Sequence, residues 1–371
     1  MEVILDVVVI SLVGCLSIFG VAHLWAYLES VPTGQDRTDF FHTQDGLRLA
    51  VHRYIPKQTI KGKPVILCHG LAGNRYIFDM KPAPSLAEYL RSRGHDVWVA
   101  ELRGSGLSES PRVLVSESSL GWGFDDHLDY DLDAVINHVT EQTRQDSAHW
   151  VGHSMGGMLI ETYLFRNQSS KISSAVAVGS PVDFSKMNSP SLKRLLKMKW
   201  ILRLFPFNPL IPLVKCFMPL SRVGPNILSG FFCSENIDWR VARKFMALGI
   251  EFISSSVLWL DMARFVENGE FADRSGKLYS QGVKQSETPL LVICGSKDNI
   301  APTSAALAVC ESRKDCQVTE TLTFAKGNGC LEDYGHLDLL VGTRVEKEVF
   351  PAIHRWLKRW DATLERPVKK K

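Results

Sequence analysis

Two kinds of signal are missing from this 371-residue sequence, metal-binding motifs and a strong excess of charge. The eight cysteines form no CxxC pair and have no histidine at zinc-finger spacing, which excludes the common small zinc modules. A formal net charge of +3 is too small to indicate a nucleic-acid-binding protein. Repeats and low-complexity tracts are also missing, apart from the basic end RPVKKK. We therefore expect no metal, no cofactor and no nucleic-acid partner.

The composition is that of a globular protein, with 45% apolar and 22% charged residues. The length allows one large α/β domain with an insertion, or two ordinary domains. Cys68 and Cys294 each end an apolar run, VILC and LLVIC, where cysteine acts as a small core hydrophobe. Cys310 and Cys316 are close enough in sequence to suggest a disulfide, but we expect most of the eight cysteines to be reduced thiols.

Charged residues are absent from the 22 positions between Asp6 and Glu29. As a helix this run measures about 33 Å, enough to cross a hydrocarbon core of about 30 Å. Trp25 and Tyr27 lie at one end, where aromatic side chains favour the membrane interface. The acidic start MEVILD and the lack of an A-x-A cleavage site argue against a signal peptide. We predict a membrane anchor at residues 1–30 rather than a signal peptide or a buried core helix.

The orientation of this anchor follows from the basic residues beside it. No Lys or Arg precedes it and Arg37 is the first to follow, so the positive-inside rule favours a catalytic part in the cytosol. The sequon NQS at Asn167 would suit the opposite orientation, which therefore stays open.

Apolar strands alternate with helices along the rest of the chain. The segment DFFHTQDGLRLAVHRYIP predicts a β-hairpin around the turn Asp45-Gly46. Runs such as VILC, HWVG, SSAVAV and LLVIC predict buried strands, and the helix predicted from DYDLDAVINHVTEQT places Leu132, Val135 and Val139 on one face. Strands that are apolar throughout and alternate with helices indicate a mostly parallel sheet covered on both faces, hence an α/β fold.

Residues 184–285 break this alternation. The segment is rich in proline, aromatics and leucine, and its part between 184 and 234 has eight Lys or Arg and no Asp or Glu. We predict a mostly helical cap insertion between two strands. It is either a subdomain with a solvated basic face or a lid over an apolar pocket that touches an anionic lipid surface, and the two interpretations are compatible. The predicted organisation is an anchor at 1–30, a core in two parts at 38–183 and 286–362, a cap at 184–285 and a basic tail at 363–371.

Ser154 lies in the motif GHSMG, between a predicted strand and a predicted helix. Gly152 and Gly156 complete a G-x-S-x-G nucleophile elbow, in which the serine occupies a strained turn and a side chain at either glycine would collide with a neighbouring element. A functionless serine-glycine turn is the alternative. Because serine is a weak nucleophile without a base and an orienting acid, the later residues decide between the two.

A candidate acid and a candidate base follow in the order found in α/β-hydrolases. Asp298 comes just after the strand predicted from LLVIC, and His336 lies on a loop before the C-terminal helix, so both are expected at the carboxyl edge of the sheet. Asp298 as a helix cap and His336 as a packed loop histidine are the alternatives. Asp183, after the preceding strand, is a rival acid, and Asp338 is a less favoured one because it is so close to His336 in sequence. We predict the triad Ser154, Asp298 and His336.

The segment His69-Gly70-Leu71 follows the first buried strand, where the first donor of an oxyanion hole is expected. We predict that the N–H groups of Leu71 and Met155 bind the oxyanion. Gly70 also suits a plain turn. We do not expect His69 to bind a metal, because no companion carboxylate or histidine lies at ligand spacing.

Three segments carry a family resemblance: HGLAGN with SLAEYLRSRGHDVWVAELRGSGLS, DYDLDAVINHVTEQT…HWVGHSMGG, and YGHLDLLVG. From about residue 40 to 357 the chain resembles α/β-hydrolase-fold serine hydrolases, and its nearest resemblance is to the acid lipases of the gastric and lysosomal type. The resemblance implies a lipase or esterase of acylglycerols or sterol esters. It also implies the same triad, with Leu71 and Met155 as oxyanion donors.

Two features depart from those acid lipases. They commonly have glutamine after the nucleophile, whereas this chain has Met155, as in many bacterial and monoacylglycerol-type lipases. They are also secreted or lysosomal, whereas this chain has a predicted anchor. We predict a membrane-anchored serine ester hydrolase of lipid-like substrates, with thioesters and amides left open. An acyltransferase with the same triad and a non-catalytic lipid-binding relative are the alternatives.

Overall fold

The described part of the chain forms a sheet of eight strands flanked by helices. A computed structural model describes residues 14, 17, 20–57, 59–60, 62–110, 121–166, 171–187, 230–251, 255–280, 287–313 and 318–361. The strands are β1 (Arg37–His42), β2 (Arg48–Tyr54), β3 (Val65–Cys68), β4 (Val97–Glu101), β5 (Ala148–His153), β6 (Ile172–Val178), β7 (Leu290–Gly295) and β8 (Thr319–Phe324).

The strands lie in the order β1-β2-β4-β3-β5-β6-β7-β8. Strands β1 and β2 form the predicted antiparallel hairpin, and Gly46 supplies the positive φ of 84° that its turn requires. Strand β2 is antiparallel to β4, and the pairs from β4 to β8 are parallel. The prediction of a mostly parallel α/β sheet is confirmed. Because β3 and β5 are neighbours, the segments that follow them meet at the carboxyl edge of the sheet.

Helices cover both faces of the sheet, as the apolar strands predicted. Along β3, Ile66 packs into the cluster that contains residues of the helices at 132–143 and 155–166, and Leu67 packs into the opposite cluster with residues of the helices at 86–91 and 349–361. The helices are α1 (20–28), α2 (Leu86–Arg91), α3 (Phe124–Asp126), α4 (Leu132–Thr143), α5 (Met155–Arg166), α6 (Trp239–Leu248), α7 (Ser256–Asn268), α8 (Thr303–Ala306), α9 (Ala308–Ser312), α10 (Asp338–Val341) and α11 (Val349–Asp361). A π-helical turn, His127–Asp131, joins α3 to α4, and 3₁₀ turns occupy Arg75–Ile77, Phe184–Lys186, Ser234–Asn236 and Lys326–Asn328.

Several sequence predictions fall wholly or partly outside the described residues. Most of the predicted anchor does so, and within the described ranges no helix is long and apolar enough to cross a bilayer. The basic stretch at 188–229, the sequon asparagine Asn167 and the tail at 363–371 also lie outside them. Five cysteines are described, and all five are free thiols, as expected; Cys316 is outside the described ranges.

Candidate active site

Ser154 occupies the tight turn between β5 and α5. Its φ is +53°, in the left-handed region that a non-glycine residue rarely adopts, and its N–H donates to the carbonyl of Val178 at 2.8 Å. A Cβ at Gly152 would meet the backbone of Gly156 and Gly157, and a Cβ at Gly156 would meet the carbonyl oxygen of Cys68. Gly152 therefore lets the end of β5 approach α5, and Gly156 lets α5 approach the end of β3, around a strained serine.

Gly156 offers a direct test of this packing. We expect Gly156→Ala to lower the free energy of unfolding by about 1–3 kcal/mol, because the added methyl group presses on the backbone of β3. It should also lower ester hydrolysis, since α5 must move away from the segment after β3. Urea unfolding and initial rates on a soluble ester measure the two effects.

The matched control is Gly327→Ala, because a Cβ there meets no heavy atom within 4 Å. If Gly156→Ala is as stable and as active as Gly327→Ala, the close approach around Ser154 is not needed.

Asp298 and His336 form a buried hydrogen-bonded pair. His336 Nδ1 lies 2.8 Å from Asp298 Oδ2, and both side chains are at most 5% exposed. The other carboxylate oxygen, Oδ1, accepts from the backbone N–H groups of Ile300 at 2.8 Å and Ala301 at 2.7 Å. Asp298 therefore stabilises the turn after β7 and also faces His336, but it does not cap the following helix, whose N-cap position is Pro302.

The rival acids have other partners. Asp183 caps the turn Phe184–Lys186, accepting from Ser185, and pairs with Lys186 at 3.2 Å. Asp338 Oδ1 and Oδ2 accept from the N–H of Gly335 at 3.1 and 2.9 Å, and Oδ1 accepts from the N–H of Cys233 at 3.1 Å. Asp298 is therefore the only one of the three whose carboxylate the described contacts place on the His336 ring.

Asp338 ties the loop that carries His336 (residues 335–337, the histidine loop) to residues 231–236, which precede α6. Besides Gly335 and Cys233, its Oδ2 accepts from Asn236 Nδ2 at 3.3 Å. The N–H groups of His336 and Leu337 donate to the carbonyl of Phe231 at 3.1 and 2.9 Å. Burial raises the pKa of Asp338 to about 6, although the backbone N–H donors of Gly335 and Cys233 act in the opposite direction.

We expect Asp338→Asn to lower kcat for ester hydrolysis by up to about 100-fold with little change in KM. The NH2 group of the asparagine would face backbone N–H groups that donate to a carboxylate oxygen in the wild type. Because those N–H groups would lose their acceptor, the loop would move and His336 would shift. Steady-state kinetics on a soluble ester measures the split. Asp333→Asn is the control, because Asp333 accepts from Ser296 and from the N–H of Lys326 at an exposed site. Equal kcat values for the two variants would show that the hydrogen bonds of the Asp338 carboxylate do not position His336.

Two further residues shape the site and were not singled out from the sequence. His153 is buried, its Nε2 lies 3.2 Å from the carbonyl oxygen of His336, and burial lowers its pKa well below the usual range, so the neutral ring donates there. Gly179 follows β6 with a φ of +58°, and a Cβ there would lie 3.2 Å from Asp298 Oδ2 and 3.3 Å from His336 Nδ1. Gly179 could have been recognised from the sequence, because in AVAVGS it directly follows a run that predicts a buried strand.

His69 sets the orientation of the peptide between Gly70 and Leu71. The N–H of Leu102 donates to His69 Nε2 at 3.1 Å, so that nitrogen carries no proton and Nδ1–H donates to the Gly70 carbonyl at 2.8 Å. Burial lowers the pKa of His69 to about 4, which keeps the ring neutral. The N–H of Gly73 donates to the same carbonyl at 3.1 Å. Because the peptide is trans, the Leu71 N–H points away from His69.

The segment after β3 is also fastened to residues that follow α6. Asn74 Nδ2 donates to the carbonyl of Leu248 at 2.8 Å and to Glu251 Oε1 at 2.7 Å. The N–H of Glu251 donates to the carbonyl of Ala72 at 2.8 Å, and Gly73 forms a β-bridge with Ile250. Helix α6 thus connects the histidine loop at one end with the predicted oxyanion segment at the other.

Ser154 and His336 line one apolar cavity of about 180 Å³. Leu71 and Met155 line it too. Met155 is the first residue of α5, so its N–H is among the first-turn donors that have no partner within the helix. The remaining lining side chains are mostly apolar and include Met158, Phe184, Met187, Phe245, Ile250, Trp259, Met262 and Val266. The described residues contain no group of three or more His, Cys, Asp or Glu side chains able to hold a metal ion.

Comparisons with known proteins agree with this fold. Residues 63–212 match the model of the α/β hydrolase fold family. The mouse (Mus musculus) gastric triacylglycerol lipase is 32% identical over 207 residues, which are 53% of this chain and 50% of that protein. Human (Homo sapiens) lipase member M is 34% identical over 167 residues, 42% of this chain and 39% of that protein. The aligned segments span only about two fifths to a half of the length of these two relatives.

The fold is shared more widely than the sequence. A thermophilic esterase from Thermogutta terrifontis superposes with a TM-score of 0.55 at 18% identity, covering 88% of this chain and 99% of that one. The sheet order, the family model and this superposition define an α/β-hydrolase fold, and the chain is similar in sequence to lipases.

Proposed function

We propose that the chain hydrolyses carboxylic esters of lipid-like substrates through an acyl-enzyme on Ser154. The proposal rests above all on one observation: a strained serine and a histidine hydrogen-bonded to a buried carboxylate line the same apolar cavity. The similarity to lipases supports an ester substrate with a long apolar part.

In the proposed reaction Ser154 Oγ attacks the ester carbonyl, and His336 Nε2 takes its proton. Asp298, bound to Nδ1, holds the ring in the tautomer that leaves Nε2 free to accept that proton. The N–H groups of Leu71 and Met155 bind the oxyanion. His336 then protonates the leaving alcohol, and water hydrolyses the acyl-enzyme by the same steps in reverse.

The apolar cavity supports binding of an acyl chain. Its side chains come from both parts of the core and from the predicted cap, since Phe245, Trp259 and Met262 lie between β6 and β7. This placement supports the predicted division into a core at 38–183 and 286–362 and a cap at 184–285. Apolar walls stabilise a hydrocarbon chain by removing its surface from water.

We further propose that residues 1–30 anchor the chain in a membrane, with the catalytic part on the cytosolic side. The 22-residue uncharged run and the position of Arg37 support this.

The experiment is a substrate panel with the purified full chain in detergent micelles: triacyl- and monoacylglycerols, a sterol ester, a phospholipid and a short polar ester. We expect hydrolysis of long-chain esters with release of free fatty acid, and slower hydrolysis of the short polar ester. Folded protein that cleaves none of them would contradict the proposal and favour a binding protein. Transfer of the acyl group to an added alcohol in preference to water would instead show an acyltransferase.

A further inference from the structure

Helix α1 presents apolar side chains to the outside of the protein. Val21, Leu24 and Leu28 recur at helical spacing and are 46%, 57% and 66% exposed, whereas Ala22 is only 1% exposed. A helix packed on a protein surface in water normally turns its apolar stripe inward. The apolar outer side of α1 therefore suits contact with lipid.

Ionic contacts hold α1 and the residue that follows it against α6. The Glu29 carboxylate pairs with Arg243 at 2.8 Å and with Lys244 at 3.2 Å, and Lys244 Nζ also donates to the Glu29 carbonyl at 3.0 Å. The Arg243 guanidinium lies 5.1 Å from the ring centroid of Trp25, a cation–π distance. Glu29 is only 13% exposed in its side chain, which strengthens such contacts relative to fully exposed pairs.

Helix α6 contacts both the end of α1 and the catalytic cavity. Phe245, which follows Arg243 and Lys244, lines the cavity together with Ser154 and His336. The end of α6 also holds Asn74 through the carbonyl of Leu248. Helix α6, which contacts α1, is therefore also joined to the segment after β3 that carries Leu71, the predicted oxyanion donor.

We infer that the outer side of α1 is a lipid-contacting surface, and that the Glu29 clamp on α6 holds the catalytic cavity beside the membrane, where it receives esters directly from the lipid. The inference rests on the proposed anchor and on the proposed ester hydrolysis. The clamp adds a fixed orientation to simple tethering. Tethering raises the local concentration of a site, but the gain is lost when the geometry forbids engagement.

The test compares two substrates with the full-length protein in phosphatidylcholine vesicles. One is a long-chain acylglycerol in the vesicle and the other is a short soluble ester. We expect Glu29→Lys, which places three cations together, to lower turnover of the vesicle ester by about tenfold or more. Turnover of the soluble ester should change by less than about twofold, and co-sedimentation with vesicles should persist.

Two controls separate the clamp from a general charge effect. Glu320→Lys breaks the exposed ion pair between Glu320 on β8 and Arg359 on α11, and it should leave both turnovers at the wild-type level. Combining Glu29→Lys with Arg243→Glu and Lys244→Glu restores opposite charges and should restore turnover of the vesicle ester.

The outcomes distinguish the inference from the proposals beneath it. If the Glu29→Lys variant binds vesicles and the ratio of its two turnovers equals that of the wild type, whether or not both turnovers fall, the inference alone is overturned. Wild-type protein that does not sediment with vesicles contradicts the anchor, and wild-type protein inactive on both esters contradicts the hydrolase. The exposed apolar side chains of α1 could instead contact a second copy of the chain. The wild type would then be a dimer without lipid, and Leu24→Glu would make it monomeric without lowering turnover of the vesicle ester. That result would also overturn the inference.

Discussion

Ser154→Ala is expected to lower kcat for ester hydrolysis by about 10⁶-fold, because it removes the residue that we propose forms the acyl-enzyme. What activity remains would come from the oxyanion donors and the apolar cavity. His336→Ala should cause a loss of similar size, and the double variant should be little worse than either single one, because the two residues act as a unit. Initial rates on a soluble ester, with protein concentration set by folded mass, measure these losses.

The control for these variants is Ser92→Ala, whose hydroxyl donates to the Tyr89 carbonyl at the exposed end of α2. It should retain wild-type kcat. If Ser154→Ala keeps more than about a thousandth of wild-type activity while folded, another residue is the nucleophile.

The second large effect is expected from Asp298→Asn, which should lower kcat by about 10⁴-fold. The side-chain oxygen of the asparagine would stay with the N–H groups of Ile300 and Ala301, because an NH2 group there would face two donors. Its NH2 group would then face His336 Nδ1 and donate to it. The His336 proton moves to Nε2, and the ring can no longer accept the proton of Ser154.

The matched variant is Asp183→Asn, which alters the rival acid after β6 and leaves the described contacts of His336 intact. It should retain near wild-type kcat. A large loss in Asp183→Asn with activity retained in Asp298→Asn would assign the acid to the other strand. Because Asp298→Asn changes the tautomer rather than the fold, its thermal unfolding midpoint should stay close to that of the wild type.

Features set by local pattern were predictable from the sequence. The apolar runs of β3, β5, β6 and β7 and the hairpin turn at Gly46 appear as expected. The elbow glycines were recognisable because the turn leaves no room for a Cβ. Strand β8, TETLTF, was missed because it is an edge strand with three of its six positions exposed and only one buried, and so has no apolar run.

Long-range contacts could not be predicted from one sequence. Asp338 is 105 residues from Cys233, and Asn74 is 174 residues from Leu248, so no spacing rule links them. Asp338 was considered only as an acid for its neighbour His336, whereas its described contacts secure the loop. The contact between Glu29 and α6 likewise depends on the tertiary fold, and a Glu after an apolar run gives no sign of it.

The central claim is that Ser154 is a nucleophile activated by His336. Treating the native protein with a fluorophosphonate and mapping the modified peptide by mass spectrometry tests it most directly. We expect one modified residue, Ser154, with labelling slowed strongly in His336→Ala and absent in Ser154→Ala. Labelling at a different residue, or no labelling of folded wild-type protein that hydrolyses esters, would contradict it.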